Sequence, residues 1–85
     1  MNTTTEKVRQ VVARVAMVPL SEVTASAAIT QLGVSSFDRI ECVLALEEAF
    51  QIELPQEVLE NARTVNDLNT AVETALVKSE TTQTI

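Results

Sequence analysis

Apolar side chains recur with the spacing of an α-helix in three parts of the chain, residues 6–17, 36–51 and 65–78. Each part combines an apolar stripe with a polar remainder, which is typical of a helix packed on a small core. In the first helix the stripe is formed by Val8, Val11, Val12, Val15 and Ala16. The basic residues of this helix are expected to face water, and they are Lys7, Arg9 and Arg14.

Two connections of different character join the predicted helices. Pro19 ends the first helix, and residues 20–34 then form a long connection with a single turn near residues 21–23. The apolar residues expected to pin this connection across the core are Leu20, Val23, Ile29 and Leu32. After the second helix, an extended stretch leads to Pro55, which precedes a short third helix ending near Asn61.

The two ends of the chain are polar. Residues 1–5 and 79–85 are therefore expected to be disordered tails, with Thr3 or Thr4 as the N-cap of the first helix. We see no internal repeat and no second domain. The pattern predicts one all-α domain, a small bundle of three long helices and one short helix with a long first loop.

Two capping pairs mark the starts of the second and fourth helices. Ser35 is a suitable N-cap, and Asp38 three residues later completes a capping-box pair. The same spacing recurs at Thr64 and Asp67, where the last helix is expected to begin. Ser36 is then the first residue of its helix, beside amides that would stabilise a phosphate ester. The alternative is that Ser36 is an ordinary helix-start residue.

The second helix has apolar residues on two opposite faces. Those expected to face the core are Cys42, Val43, Leu46 and Phe50, with Arg39 projecting among them. Phe37 and Leu44 fall on the opposite face, beside Glu41 and Glu48. Apolar side chains among carboxylates on a solvent-facing surface predict a docking site for a basic partner with a small apolar pocket. Packing of Phe37 and Leu44 against the first loop is the alternative.

The net charge of −6 comes entirely from the middle of the chain. Residues 38–60 hold seven acidic residues and one basic residue, whereas the remainder holds five of each. Such a field predicts repulsion from nucleic acid and membrane surfaces and attraction to basic protein patches. The alternative is a solvated helix face that only keeps the protein in solution.

Several classes of function lack the residues that they need. No run of about 18 apolar residues could span a membrane, and no secretory signal pattern precedes the first helix. Histidine is missing, and the single cysteine, Cys42, is expected to be buried and unreactive, so no enzyme is predicted. The acidic residues lack calcium-loop spacing, so no metal site is predicted. A lone cysteine fits a reducing, cytoplasmic location.

The residues around Ser36 resemble the acyl carrier protein family. That family has the motif Leu-Gly-x-Asp-Ser-Leu-Asp, and the corresponding run here is Leu32-Gly33-Val34-Ser35-Ser36-Phe37-Asp38. The family's next helix ends in Ala-Leu-Glu-Glu-x-Phe-x-Ile-x-Ile-Pro, and the run here is Ala45-Leu46-Glu47-Glu48-Ala49-Phe50-Gln51-Ile52-Glu53-Leu54-Pro55. Two departures are Ser35 in place of aspartate and Phe37 in place of leucine.

The resemblance implies a monomeric, antiparallel four-helix bundle with covalent phosphopantetheine, transferred from coenzyme A by a phosphopantetheinyl transferase. Ser36 aligns with the serine that bears this arm, and Ser35 is the only rival. The arm's thiol holds an acyl group as a thioester, which the protein carries between acyl-transferring, synthase or ligase enzymes, as in fatty acid biosynthesis. The residues expected to contact basic patches on those enzymes are Phe37, Asp38, Glu41, Leu44, Glu47 and Glu48.

Two other functions and one prediction about the cargo stay open. An unmodified, carrier-like interaction subunit is motivated by Ser35, and a specialised carrier of aminoacyl, polyketide or special lipid cargo is motivated by the altered residues beside Ser36. In the acyl carrier protein family, which this sequence resembles, an acyl chain can enter between the helices. Because Cys42 is smaller than the family's leucine, we expect a loose core that admits the chain. It would be lined by Cys42, Leu46 and Phe50.

Overall fold

A computed structural model describes residues 3–83, which form four α-helices and two short 3₁₀ turns, with no β-strand in that range. The helices are α1 (Thr3–Ala16), α2 (Ser36–Phe50), α3 (Gln56–Asn61) and α4 (Val65–Gln83). The 3₁₀ turns, Leu20–Glu22 and Ile29–Leu32, lie in the connection between α1 and α2. The predicted all-α bundle of three long helices and one short helix is confirmed.

The first and last helices are longer than the apolar pattern predicted. α1 begins at Thr3, so the threonines expected to cap it lie inside its first turn. α4 continues to Gln83, past the predicted end at Lys78. The backbone therefore differs from the predicted tails over residues 3–5 and 79–83, and the two residues at each chain end lie outside the described range. The end turns of a helix need no apolar residue, and no glycine or proline interrupts either segment.

The core consists of small and medium apolar side chains from three helices and the first connection, together with Leu54 and Ala62 on either side of α3. The buried helical residues are Val8, Val11, Val12 and Ala13 of α1, Cys42 and Leu46 of α2, and Val65, Leu68 and Val72 of α4. The connection contributes Val23, Ile29, Leu32 and Val34. The expected pinning of this long connection is confirmed, because removal of these side chains from water holds it against the bundle.

Arg9 holds the start of this connection, so the prediction that Arg9 faces water is wrong. The side chain is half-buried, and its Nε donates a hydrogen bond to the carbonyl oxygen of Val23 at 2.6 Å. Its Nη2 donates to the carbonyl oxygen of Leu20 at 3.1 Å, and its Nη1 pairs with Glu6 at 3.2 Å. A guanidinium has several donors in fixed directions, so one side chain satisfies two loop carbonyls.

The end of the same connection is bonded to the junction between α3 and α4. The amide of Ile29 donates to the carbonyl oxygen of Arg63 at 2.8 Å, and the amide of Val65 donates to that of Ala27 at 3.1 Å. These backbone bonds bring the segment that precedes α2 next to the end of α3. The start of α2 therefore lies at the same end of the bundle as the α3–α4 junction.

Candidate functional site

Reciprocal hydrogen bonds hold the start of α2. Gly33 precedes it in a left-handed backbone conformation, with φ of 82°, which glycine adopts without strain. Ser35 is the N-cap, and its Oγ accepts a hydrogen bond from the amide of Asp38 at 3.2 Å. The Asp38 carboxylate accepts one from the amide of Ser35 at 3.2 Å. The predicted capping box and the predicted helix start at Ser36 are confirmed.

Ser36 is exposed at the first position of α2. Across residues 3–83 no protein group hydrogen-bonds to its hydroxyl, whereas the hydroxyl of Ser35 is engaged in the cap. The amides of Ser36 and Phe37 have no intrahelical partner, because they belong to the first turn. An anionic group on the Ser36 oxygen would meet free amide donors and the positive end of the helix dipole. This arrangement fits the phosphodiester of phosphopantetheine.

An exposed apolar row, formed by Phe37, Ile40 and Leu44, runs along α2 from the turn that contains Ser36. Phe37 is 70% exposed and Leu44 is 57% exposed, so most of each side chain lies in solvent and not against the first loop. Ile40 is 44% exposed and lies between them. Ile40 was not predicted as part of this surface, although a spacing of three and four residues places all three side chains on one helix face.

The acidic residues expected to contact a partner fall into two groups. Glu41 and Glu48 are exposed and flank the apolar row. Asp38 and Glu47 are half-buried at its two edges, and each bonds to the protein itself. The Glu47 carboxylate accepts a hydrogen bond from the amide of Leu54 at 2.8 Å, which fixes the extended stretch after α2. The capping role of Asp38 was predicted from the sequence, whereas the bond that Glu47 makes to the amide of Leu54 was not.

Cys42 is a buried free thiol on the core side of α2. Burial, and to a smaller extent the negative charges of Asp38 and Glu41, raise the pKa of this thiol from an ordinary 9.0 to about 11. The thiol is therefore protonated at neutral pH, as expected of an unreactive cysteine. Among the residues that the structure describes, no group of three or more acidic or cysteine side chains is placed to hold a metal ion.

The loose core expected beside Cys42 is not present. The apolar gap at Cys42 holds only about 10 Å³, close to the space of one water molecule. Leu46 is fully buried and Phe50 is half-buried, and neither lines this gap. Arg39, one turn before Cys42, lines the gap instead and occupies volume beside the small thiol. An acyl chain therefore does not fit there unless α2 and α3 move apart.

A larger depression lies at the other end of α2, where Gln51–Pro55 approaches α4; it measures about 1210 Å³ and is open to solvent. Its first lining residue, Glu47, follows Ser36 by 11 residues, which corresponds to roughly 16 Å along the helix axis. This depression is therefore remote from the start of α2. Within residues 3–83, no helix is both long enough and apolar enough to cross a membrane.

Comparison with known proteins agrees with this geometry. The family model for a phosphopantetheine attachment site matches residues 6–72, which is most of the chain. The crystal structure of an acyl carrier protein from Thermotoga maritima matches with a TM-score of 0.73 at 25% identity, over 85% of each chain. The mupirocin didomain ACP has the same TM-score at 15% identity, over 87% of this chain and 40% of that chain, and that likeness concerns the fold.

The extent of the family match decides the assignment. It spans both helix α2 with its cap and the core residues of α1 and α4. Domains of this kind carry phosphopantetheine covalently, have a fold that is generally not catalytic, and act through partner enzymes. The chain therefore belongs to the acyl carrier protein family, with phosphopantetheine as its cofactor.

Proposed function

We propose that Ser36 is the attachment residue and that this protein carries acyl groups between enzymes. The observation that supports this most directly is the position of the Ser36 hydroxyl, exposed at the first turn of α2 and free of protein partners within residues 3–83. Ser35 is less suited to attachment of phosphopantetheine, because its hydroxyl oxygen already accepts a hydrogen bond in the cap. The proposed attachment therefore leaves the capping box intact.

In the proposed reaction, Ser36 Oγ loses its proton and bonds to the pantetheine-side phosphorus of the coenzyme A diphosphate. The bond from that phosphorus to the bridging oxygen breaks, and adenosine 3′,5′-bisphosphate leaves with this oxygen. The amides of the first turn and the helix dipole stabilise the phosphodiester that remains on the protein. The attached arm supplies a terminal thiol that holds an acyl group as a thioester. Tethering keeps that group at a high effective concentration near each partner enzyme.

The surface next to Ser36 supports a role in docking. The apolar row of Phe37, Ile40 and Leu44 is exposed and flanked by Glu41 and Glu48. A basic patch with an apolar pocket on a phosphopantetheinyl transferase, or on an acyl-transferring, synthase or ligase enzyme, is complementary to it. Asp38 and Glu47 lie at its edges, where one oxygen of each is already engaged. Their contribution to docking is therefore expected to be smaller than that of Glu41 and Glu48.

We also propose that the protein has no enzymatic activity of its own. Its sequence contains no histidine, and its one thiol is buried and protonated at neutral pH. The chemistry is then done by the partners, and this chain presents the cargo. A monomer and a cytoplasmic location stay predictions.

Intact mass tests the attachment. The protein is incubated with coenzyme A and a broad-specificity phosphopantetheinyl transferase, beside the variants Ser36→Ala and Ser35→Ala. We expect the unaltered protein and Ser35→Ala to gain the mass of one phosphopantetheine, and Ser36→Ala to gain none. Ser35→Ala is the matched control, because it removes the neighbouring hydroxyl and leaves Ser36 in place.

Other outcomes of this experiment identify the alternatives. A mass gain that persists in Ser36→Ala and disappears in Ser35→Ala would move the attachment to Ser35. No gain with several transferases would make an unmodified interaction subunit the better description. Once modification is shown, loading assays with fatty acyl, aminoacyl and polyketide-type donors assign the class of cargo.

A further inference from the structure

Arg39 crosses from α2 to the end of α3. It lies in the first turn of α2, its side chain is half-buried, and its Nη2 donates a hydrogen bond to the carbonyl oxygen of Ala62. Ala62 is the C-cap of α3 and is itself buried. The side chain thus spans the space between the two helices, with its guanidinium bonded on the far side.

The positive charge of Arg39 is favourable at the end of α3 and unfavourable at the start of α2. A cation in the first turn of α2 lies at the positive end of that helix, which is unfavourable. At the end of α3 the same cation meets the negative end of a helix and a carbonyl group that has no partner within the helix. The backbone at Ala62 is also held in place, because the carbonyl oxygen of the next residue, Arg63, accepts a hydrogen bond from the amide of Ile29.

The space that Arg39 spans is the apolar gap at Cys42. Its walls come from α2, α3, the first connection and α4. Besides Arg39 and Ala62, the lining residues are Cys42, Val43, Val58, Leu59, Ile29 and Leu68. Arg39 is the one charged residue among these lining groups, and the gap that remains beside it holds about 10 Å³. A small thiol at position 42 leaves room, and the stem of Arg39 occupies part of it.

The proposed attachment residue lies one turn from this side chain. Ser36 precedes Arg39 by three residues, or roughly 4.5 Å along the helix axis. An acyl group on an arm at Ser36 would therefore meet Arg39 before it reached the apolar side chains of the gap. Entry would require the hydrogen bond to Ala62 to break and the guanidinium stem to move aside.

We propose that Arg39 determines cargo specificity by closing the gap between α2 and α3, so that an acyl chain is not buried in this protein. This inference rests on the proposed attachment at Ser36. It assigns the protein to short or polar acyl cargo, which gains little from an apolar interior. A long apolar chain would stay in contact with water on this carrier and lose the stabilisation that burial of each methylene provides.

A test that needs no attached arm uses xenon, which binds in apolar cavities. Methyl spectra of the unmodified protein are recorded under xenon pressure for the native chain and for Arg39→Ala, Arg39→Lys and Arg63→Ala. We expect shifts at Val43, Leu59 and Leu68 in Arg39→Ala alone. Arg39→Lys keeps a long stem and a cationic donor, and Arg63→Ala removes the same charge from the exposed residue beside Ala62.

The second measurement concerns cargo. The native chain and Arg39→Ala are loaded with acetyl- or octanoyl-phosphopantetheine from the corresponding coenzyme A thioesters. In the native chain, the methyl signals of Val43 and Leu59 should be the same with either cargo, and in Arg39→Ala the octanoyl form should shift them. If Arg39→Ala does not fold, as judged by circular dichroism, Arg39→Gln, which is too short to reach Ala62, replaces it.

The outcomes separate this inference from the proposed function. Xenon or octanoyl shifts in the native chain would show that the gap opens without loss of Arg39 and would overturn the inference. A folded Arg39→Ala that gives no xenon shift would overturn it as well. If no transferase modifies Ser36, the proposed attachment fails, whereas the xenon comparison still decides whether Arg39 closes the gap.

Discussion

Four residues at the start of α2 show how position alone separates the roles of similar side chains. Ser35 and Ser36 are adjacent serines, yet the first caps the helix and the second presents a free hydroxyl. Three residues later, Arg39 reaches α3, and one turn further Cys42 is enclosed in the core. A helix turns by about 100° per residue, so neighbours in sequence face different surroundings.

The buried thiol leads to a prediction about reactivity. Because its pKa is about 11 instead of 9.0, Cys42 in the folded protein holds about 100-fold less thiolate at pH 8 than an ordinary cysteine. We expect alkylation by iodoacetamide to be slower by at least that factor in the native protein than in urea-unfolded protein. Intact mass measures the rate without ambiguity, because the chain has one cysteine.

The raised pKa of Cys42 also makes the free energy of unfolding depend on pH. The folded state keeps the thiol proton to higher pH than the unfolded state does, so the free energy of unfolding should fall as the pH rises from about 9 to 11.

Alkylation of the folded protein as fast as that of the unfolded protein would contradict the buried position of Cys42.

At the scale of elements, the helix starts depend on local pairs of side chains. The Asp67 carboxylate accepts hydrogen bonds from the amides of Arg63 at 2.9 Å and Thr64 at 3.1 Å, and the Thr64 hydroxyl accepts one from the amide of Asp67 at 3.2 Å. The bonds from the amides of Arg63 and Thr64 lower the pKa of Asp67 below its ordinary 3.8. This pair therefore stabilises the start of α4 with an ionised carboxylate.

We predict that Asp67→Asn lowers the free energy of unfolding at pH 7 by about 1 kcal/mol, the usual size of a lost cap. A group with a lowered pKa in the folded state contributes stability above its unfolded pKa, and that contribution is lost as the pH falls through the folded value. Urea titrations at pH 7 and pH 3 should therefore show a smaller difference between the two proteins at pH 3.

Glu57→Gln is the matched control, because it neutralises an exposed carboxylate near the start of α3. We expect a change within about 0.5 kcal/mol for it, as for most surface substitutions. Equal stability of Asp67→Asn and the native chain at pH 7 would contradict the proposed role of this carboxylate.

At the scale of the whole molecule, the charges are distributed unevenly. The acidic residues of α2 and the segment after it produce the whole net charge of −6, and the one basic residue among them, Arg39, is half-buried with its guanidinium bonded to Ala62. A basic partner that approaches the start of α2 therefore meets carboxylates, and the exposed cation of Lys7 lies at the other end of this helix, bonded to the carbonyl oxygen of Ala49. Such a field mainly raises the rate of association.

We predict that association with a phosphopantetheinyl transferase slows by about tenfold between 0.1 M and 0.5 M salt. The reason is that the electrostatic screening length is about 10 Å at 0.1 M salt and decreases toward the value of about 3 Å that it has at 1 M. Stopped-flow measurements should also show slower association for Glu48→Gln than for the native chain. Glu22→Gln is the control, since it removes an exposed carboxylate of the first connection instead. An association rate that does not depend on salt would exclude electrostatic docking.

The amino-acid sequence by itself determined the elements and their boundaries near the site. Helix period, Gly33 and the capping pairs at Ser35 and Thr64 are properties of residues within one or two turns of each other, so local physics is sufficient to predict them. The same period placed Phe37 and Leu44 on the face opposite the core, and the structure excluded the alternative that they pack against the first loop. The polar ends of α1 and α4 were not predicted, because nothing in their composition requires a helix, and neither was the 3₁₀ turn Ile29–Leu32.

The tertiary structure decided what the long polar side chains bind. Arg9 contacts carbonyls 11 and 14 residues away, Glu47 contacts an amide seven residues away, and Arg39 contacts a carbonyl 23 residues away. From the sequence, Arg9 was expected to face water and Glu47 to contact a partner, and Arg39 had no assigned role. The volume beside Cys42 likewise depended on which distant side chains fill it. Partners that are remote in sequence become neighbours only when the helices pack, so no local pattern contains them.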